Sequence, residues 1–161
     1  MPLILIASIS HNRALGNNNA LLYRLPGDMR HFRATTSGHT VLMGRKTFDS
    51  LPKGALPHRR NIVVSRSLRH IDGAECYPTL DEALHACHDD EQVYVIGGAS
   101  IYAQLLDQAD KLLLTIVDDV TEEADAFFPA FDAWCCTKRT YHPSNEQHAY
   151  PFWIVTYQRT V

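Results

Sequence analysis

The 161-residue chain predicts a single α/β domain, residues 1–161, built on a mixed, mostly parallel sheet. Three observations lead there. Short apolar runs of strand length alternate with helical segments through the first two-thirds of the chain, a pattern of parallel strands joined by right-handed crossovers. Runs such as Leu3–Ile9 and Val93–Ile96 are continuous rather than alternating, as expected of strands buried on both faces. The last part then offers two strands with no helix between them, which predicts an antiparallel hairpin closing one sheet edge. With 45% hydrophobic residues, the chain can bury a core without disulfide or metal support.

Leu3–Ile9 is the first strand and should lie centrally. The amide-rich, Gly-punctuated stretch from Ser10 to Asn19 has too little apolar periodicity for a helix and reads as a long loop, a feature often tied to function. A helix runs from Pro26 to about Thr36 and stops near Ser37-Gly38. Thr40–Met43 is a strand, and Gly44-Arg45-Lys46-Thr47 opens a short helix toward Leu51 that Pro52 and Gly54 break. Asn61–Ser65 is a third buried strand and Ala74–Tyr77 a further one, followed by a helix capped at Thr79. Val93–Ile96 leads through Gly97-Gly98 into a helix from Ala99 to about Leu106. Lys111–Val117 is the next strand. Trp134–Tyr141 and Phe152–Arg159 form the closing hairpin.

No apolar run is long enough to span a bilayer, and the start of the chain lacks a charged leader, so a cytoplasmic protein with no membrane association is expected. Cys76, Cys87, Cys135 and Cys136 have no paired metal spacing and read as reduced thiols. His85-Ala86-Cys87-His88 would fan around a helix, so no metal site is expected. The net charge of −3 hides a division: residues 1–70 carry eleven Lys/Arg against two acids, and residues 71–161 carry four against sixteen. The basic half suits an anionic ligand, while the acidic half argues against wrapping a nucleic acid.

Asp28 is the only acidic side chain in the first 48 residues. It follows Pro26-Gly27 in a first helical turn, where a carboxylate is favoured for local reasons. It also shares a face with Phe32 and is placed to meet a cationic or amidine-like ligand group. Three strand ends carry further chemistry. Met43 leads into Gly44-Arg45-Lys46-Thr47, Val64 into Ser65-Arg66, and Ile96 into Gly97-Gly98 at a helix start. Together they describe a pyrophosphate and an additional phosphate held at strand ends. The Rossmann fingerprint and the phosphate loop are both absent, so a nicotinamide site here is of another type.

Over essentially its whole length the chain resembles a bacterial dihydrofolate reductase. The carrying motifs are Leu15-Gly16, Leu25-Pro26-Gly27-Asp28 with Phe32, Met43-Gly44-Arg45-Lys46-Thr47-Phe48, Leu56-Pro57-His58-Arg59-Arg60-Asn61, Val95-Ile96-Gly97-Gly98-Ala99-Ser100-Ile101-Tyr102, Leu114-Thr115, and Asp125 before Phe127-Phe128-Pro129. The resemblance implies a three-layer fold with an eight-stranded, mostly parallel sheet, a C-terminal antiparallel hairpin and four helices. It implies NADPH-dependent reduction of 7,8-dihydrofolate to tetrahydrofolate for one-carbon metabolism, by a cytoplasmic monomer that antifolate inhibitors target and that binds no nucleic acid.

In that reading Asp28 binds the pterin's 2-amino group and N3, with Thr115 supporting through a water. Ile6, Ala7, Met29, Phe32, Leu51, Leu56 and Ile96 would line the substrate pocket, and Arg59 would pair with the glutamate carboxylate. The cofactor would lie against Ala7, Leu15, Gly16, Asn19 and Ala20, against Gly44, Arg45, Lys46, Thr47, Ser65 and Arg66, and against Ile96, Gly97, Gly98, Ala99, Ser100, Ile101 and Tyr102. The Gly97-Gly98 peptide is cis in the family. Water protonates N5 while the loop from Ser10 to Arg24 closes over the rings, tethered by Asp125.

The chain departs from the family at several positions. Leu22-Tyr23 stands where Pro-Trp is usual, and the Tyr23 hydroxyl is expected to replace the indole in a water bridge toward Asp28. Pro78 and Ser100 occupy positions that are often basic, so cofactor grip should rest on Arg45, Lys46 and Arg66. Ala124-Asp125-Ala126 replaces Gly-Asp-Thr. Two other readings are a reductase of the same fold acting on a riboflavin-pathway aminopyrimidine, and a non-catalytic nucleotide-binding module. The Asp28–Phe32 pair and Arg59 weigh against the first, and the lack of aromatic-basic interleaving weighs against the second.

Overall fold

The apolar run near the N-terminus forms strand β1 (Leu3–Ser10), and it lies fourth in an eight-stranded sheet. The computed structural model describes residues 1–17, 20–23, 25–67, 70–147 and 149–159. Around β1 stand β4 (Thr40–Gly44), β5 (Arg60–Val64), β6 (Ala74–Tyr77), β7 (Val93–Gly97) and β8 (Lys111–Val117). The closing strands are β10 (Trp134–His142) and β11 (Phe152–Arg159), and the order across the sheet is β10-β11-β8-β1-β7-β4-β5-β6. Pairing is parallel from β8 through β6, whereas β11 runs antiparallel to both β8 and β10. The hairpin therefore closes one edge, as its missing crossover helix requires.

Four helices complete the architecture: α1 (Pro26–Thr36), α2 (Arg45–Asp49), α3 (Leu80–His85) and α4 (Ala99–Leu105), with a 3₁₀ turn at Leu106–Gln108. Pro26 opens α1, where its missing N–H costs nothing, and Leu25 offers no side-chain cap. Asp28 is thus the acidic group of that first turn. Thr79 does cap α3, its hydroxyl accepting from Glu82 N at 3.1 Å.

Strand alternation sorts the core into two layers. Leu3, Leu5 and Ile9 of β1 join Leu42, Ile62, Val95, Leu112, Leu114 and Phe128 on one side of the sheet. Ile4 and Ile6 join Val41, Met43, Val63 and Tyr94 on the other, where Phe32, Leu51, Leu56 and Ile96 pack against them. A ledge forms where β7 meets β4. Leu42 pairs with Val95 and Met43 with Gly97, so Ile96 is an extra residue bulged out of the ladder.

The stretch after β1 is not the plain loop that its composition predicts. Ala14–Asn17 (β2) and Ala20–Leu21 (β3) pair with each other, and β2 pairs with β9 (Ala126–Phe127) in a three-stranded sheet. These strands are short, and backbone bonds to a segment over a hundred residues away define them, so side-chain periodicity gives no sign of them. Asn18, Asn19 and Arg24, the first two within the predicted loop, lie outside the described residues.

Candidate active site

The site starts at a hydrogen bond between residues far apart in sequence. Thr115 Oγ1 donates to Asp28 Oδ1 at 2.5 Å. Thr115 is buried in β8 opposite Ser8 of β1, so α1 sets its first-turn carboxylate down across two adjacent strands. Burial raises the Asp28 carboxyl above the usual carboxylate range, because a charge loses hydration there. The Thr115 hydroxyl, then His31, Ser8 and His142, pull the other way without overcoming it. The Ser8 hydroxyl is itself buried and has no hydrogen-bond partner among the described residues.

Phe32, one turn after Asp28, packs with Leu51, Leu56, Ile6 and Ile96 in a single apolar cluster, as expected of neighbours in one pocket. Phe48 and Leu113 belong to the same cluster and were not among the expected lining residues. Met29 is 54% exposed and stands at its margin. Ala7 points to the opposite layer, so only its backbone can serve this side.

At the far end of Phe32 stands the Arg59 guanidinium, 6.0 Å from the ring centroid. Arg59 Nε donates to Pro57 O at 2.9 Å and NH1 to Thr36 Oγ1 at 3.0 Å, both neutral oxygens. Desolvation, with Arg33 nearby, lowers its pKa. The segment carrying it is clamped by Asn61, a residue to which sequence reasoning gave no role. Asn61 Nδ2 donates to Leu56 O and Arg59 O at 2.9 and 3.0 Å, while Leu56 N donates to Asn61 Oδ1 at 2.8 Å. Asn61 is 2% exposed, and a buried amide at the start of a strand is the one signal that could have found it.

On the other side of the sheet ends, α2 and α4 begin close together. The Gly97-Gly98 peptide is cis. A Cβ on Gly97, whose φ is +134°, would come within 3.1 Å of Thr47 Oγ1, and one on Gly44 within 3.4 Å of Ile101. Absent side chains thus leave a seam between the two helix starts. Arg45, Lys46 and Arg66 are exposed around it, Ser65 is buried, and Ser100 is exposed at the start of α4. Arg45 donates to Ser67 Oγ at 2.8 Å and lies 3.6 Å from Asp49. Ala99 opens α4, and Tyr102 sits behind, buried, its hydroxyl donating to Ile6 O at 2.6 Å.

The loop side is held to the segment after β8. Asp125 N donates to Gly16 O at 3.0 Å beside the pairing of β2 with β9. Leu15 and Gly16 lie in β2 and Ala20 in β3; Asn19 is outside the described residues. His11 N donates to Asp119 O, Asn12 Nδ2 to Thr121 O and Arg13 NH1 to Phe128 O. Tyr23 corrects an expectation. Its hydroxyl donates to Asp119 Oδ2 at 2.6 Å and its ring meets Tyr150 edge-on, so its proton is committed to the loop latch and not to Asp28. Burial and that carboxylate raise its pKa.

The family model for dihydrofolate reductase matches residues 2–159. The chain is 40% identical over 162 residues to "Dihydrofolate reductase type 3" of Salmonella typhimurium, across 99% of each protein. It is 43% identical over 143 residues to the dihydrofolate reductase of Neisseria meningitidis serogroup A, covering 87% of this chain and 88% of that one. Among solved structures, a dihydrofolate reductase from Enterococcus faecalis complexed with NADP(H) and RAB-propyl superposes with a TM-score of 0.89 at 27% identity, over 99% of this chain and 97% of that one. With the model matching nearly end to end and relatives this similar, the chain belongs to the dihydrofolate reductase family of oxidoreductases.

Proposed function

We propose that the protein reduces 7,8-dihydrofolate to 5,6,7,8-tetrahydrofolate with NADPH and so supplies one-carbon metabolism. The observation that carries this reading is the Asp28–Thr115 pair at one end of the Phe32 cluster with a desolvated Arg59, free of any described acidic partner, at the other. A carboxylate matches the amidine edge of a pterin with two parallel N–H bonds, and a guanidinium matches the glutamate α-carboxylate in the same bidentate way. Leu51, Leu56, Ile6 and Ile96 hold the aromatic body between these ends, with Met29 at the rim.

The residues fit a dinucleotide. The seam beside Gly44, Gly97 and Gly98 is the room that a Cβ would fill, and Arg45, Lys46 and Arg66 bring positive charge to it. Thr47 and Ser65 add hydroxyls, and the backbones of Ala7, Leu15, Gly16 and Ala20 would meet the ring end. NADPH, when bound, supplies the hydride that pterin C6 receives. Asp28 orients and polarises the pterin from its far edge, and Thr115 fixes the carboxylate oxygen that does so. The proton at N5 comes from water, and the tethered loop then keeps bulk water out.

The test follows absorbance of reduced nicotinamide with dihydrofolate, using NADPH and NADH in turn. The protein should oxidise NADPH only when dihydrofolate is present, and Arg66→Ala should narrow the preference for NADPH. No folate-dependent oxidation would refute the reading; an unchanged preference would remove Arg66 from the 2′-phosphate site.

A further inference from the structure

Helix α1 has a second side that the reaction does not use. Gly27, Arg30, His31 and Ala34 fall on the face turned away from Phe32, and they form one wall of a cleft of about 480 Å³. The other walls are Leu113 of β8, Lys138, Thr140 and His142 of β10, and Ile154 and Thr156 of β11. That volume is within the range of small-molecule sites.

The lining is chemically one-sided. Four side chains are basic, Arg30, His31, Lys138 and His142, and none is acidic. Leu113, Ile154 and Ala34 make an apolar floor beneath them. His31 Nε2 is buried and without a hydrogen-bond partner among the described residues, which is unusual for a ring nitrogen inside a protein. His142 is held flat against Phe152, with ring centroids 4.8 Å apart and planes 9° from parallel. Among the described residues Arg30 reaches the neutral Gln147 Oε1, at 3.3 Å.

We propose that this cleft binds a small amphipathic carboxylate, an apolar ring or branched chain bearing one anionic group. The floor covers the apolar body, and Lys138 and Arg30 meet the charge beside the two imidazoles. A bare phosphate leaves the floor uncovered and fits less well. The site stands one residue from Asp28 at Gly27 and one turn away at His31, yet on the opposite side of the helix from the Phe32 cluster. Leu113 borders both the cleft and the Phe32 cluster, and the proposal does not depend on which substrate the folate pocket takes.

Phenylacetate is a suitable probe, with 2-phenylethanol as its neutral counterpart. Titration of the whole protein, followed by calorimetry and by the imidazole resonances of His31 and His142, should show saturable binding that perturbs both rings. Lys138→Gln and Arg30→Gln, both at exposed positions, should each weaken binding about fivefold, the size of one solvent-facing polar contact. The alcohol should bind more weakly by a similar factor, and saturation with dihydrofolate should leave phenylacetate affinity unchanged. Absence of saturation, equal affinity for the alcohol, or indifference to both substitutions would overturn the proposal. So would loss of binding on adding dihydrofolate, which would place the probe in the folate pocket.

Discussion

Asp28 is held by opposing forces. Burial favours its neutral form, while Thr115, His31, Ser8 and His142 favour the charged one, and burial is the larger. Its folded-state pKa therefore lies above the unfolded value, the folded protein keeps the proton longer, and stability falls as pH rises through that interval. Asp28→Asn should raise the unfolding temperature at neutral pH, with the gain shrinking as pH falls through the raised folded-state pKa and gone below the ordinary carboxylate value. A scan of thermal unfolding against pH checks this, and a loss of stability at pH 7 would contradict it. Tyr23→Phe should cost about 1 kcal/mol in denaturant unfolding, since its partly buried bond to Asp119 is charge-assisted. The lone carboxylate was legible in the sequence because nothing else in the first 48 residues is acidic. The partner of Tyr23 was not, because Asp119 lies 96 residues away and only the fold brings it near.

At the scale of elements, the sequence marked those defined by their own side chains. The helix from Pro26, the strands Ala74–Tyr77 and Lys111–Val117 and the Thr79 cap all stand where proline geometry, apolar runs and hydroxyl capping put them. Elements defined by backbone partners were hidden, as β2, β3 and β9 show. The Asn61 clamp belongs to this second kind. Asn61→Ala removes three hydrogen bonds and strands two partly buried carbonyls and an amide, so a cost of about 2 kcal/mol is expected. The same substitution should raise KM for dihydrofolate more than it lowers kcat, because it loosens the segment that carries Leu56 and Arg59. Gly97→Ala tests the seam: a positive φ and a Thr47 oxygen 3.1 Å from the new methyl should cost about 1–3 kcal/mol and weaken cofactor binding, measured by thermal unfolding and nucleotide titration.

Across the whole molecule, the charge division of the chain is partly cancelled and partly kept. Arg60 from the basic half donates to Glu75 Oε2 at 2.6 Å and pairs with Glu91 at 2.5 Å, joining the halves where β5 meets β6. That network, with Thr40 donating to Glu91, is structural and lies away from the Asp28 end. Arg59, Lys46 and Arg66 have no acidic partner among the described residues, and they are the cations assigned here to ligand anions. Nucleotide affinity should accordingly fall as salt rises, the more so for NADPH than for NADH. Charge counting showed that anions were wanted, but only the sheet order showed which arginine was already spent.

On the proposed function, Asp28, fixed by Thr115, is the group that holds the pterin. The direct measurement is dihydrofolate-dependent oxidation of NADPH by Asp28→Asn at neutral pH, with folding verified by circular dichroism. A folded variant that has lost about a hundredfold or more of kcat/KM for dihydrofolate, while binding NADPH normally, is the predicted result. A folded variant with undiminished kcat/KM would contradict it.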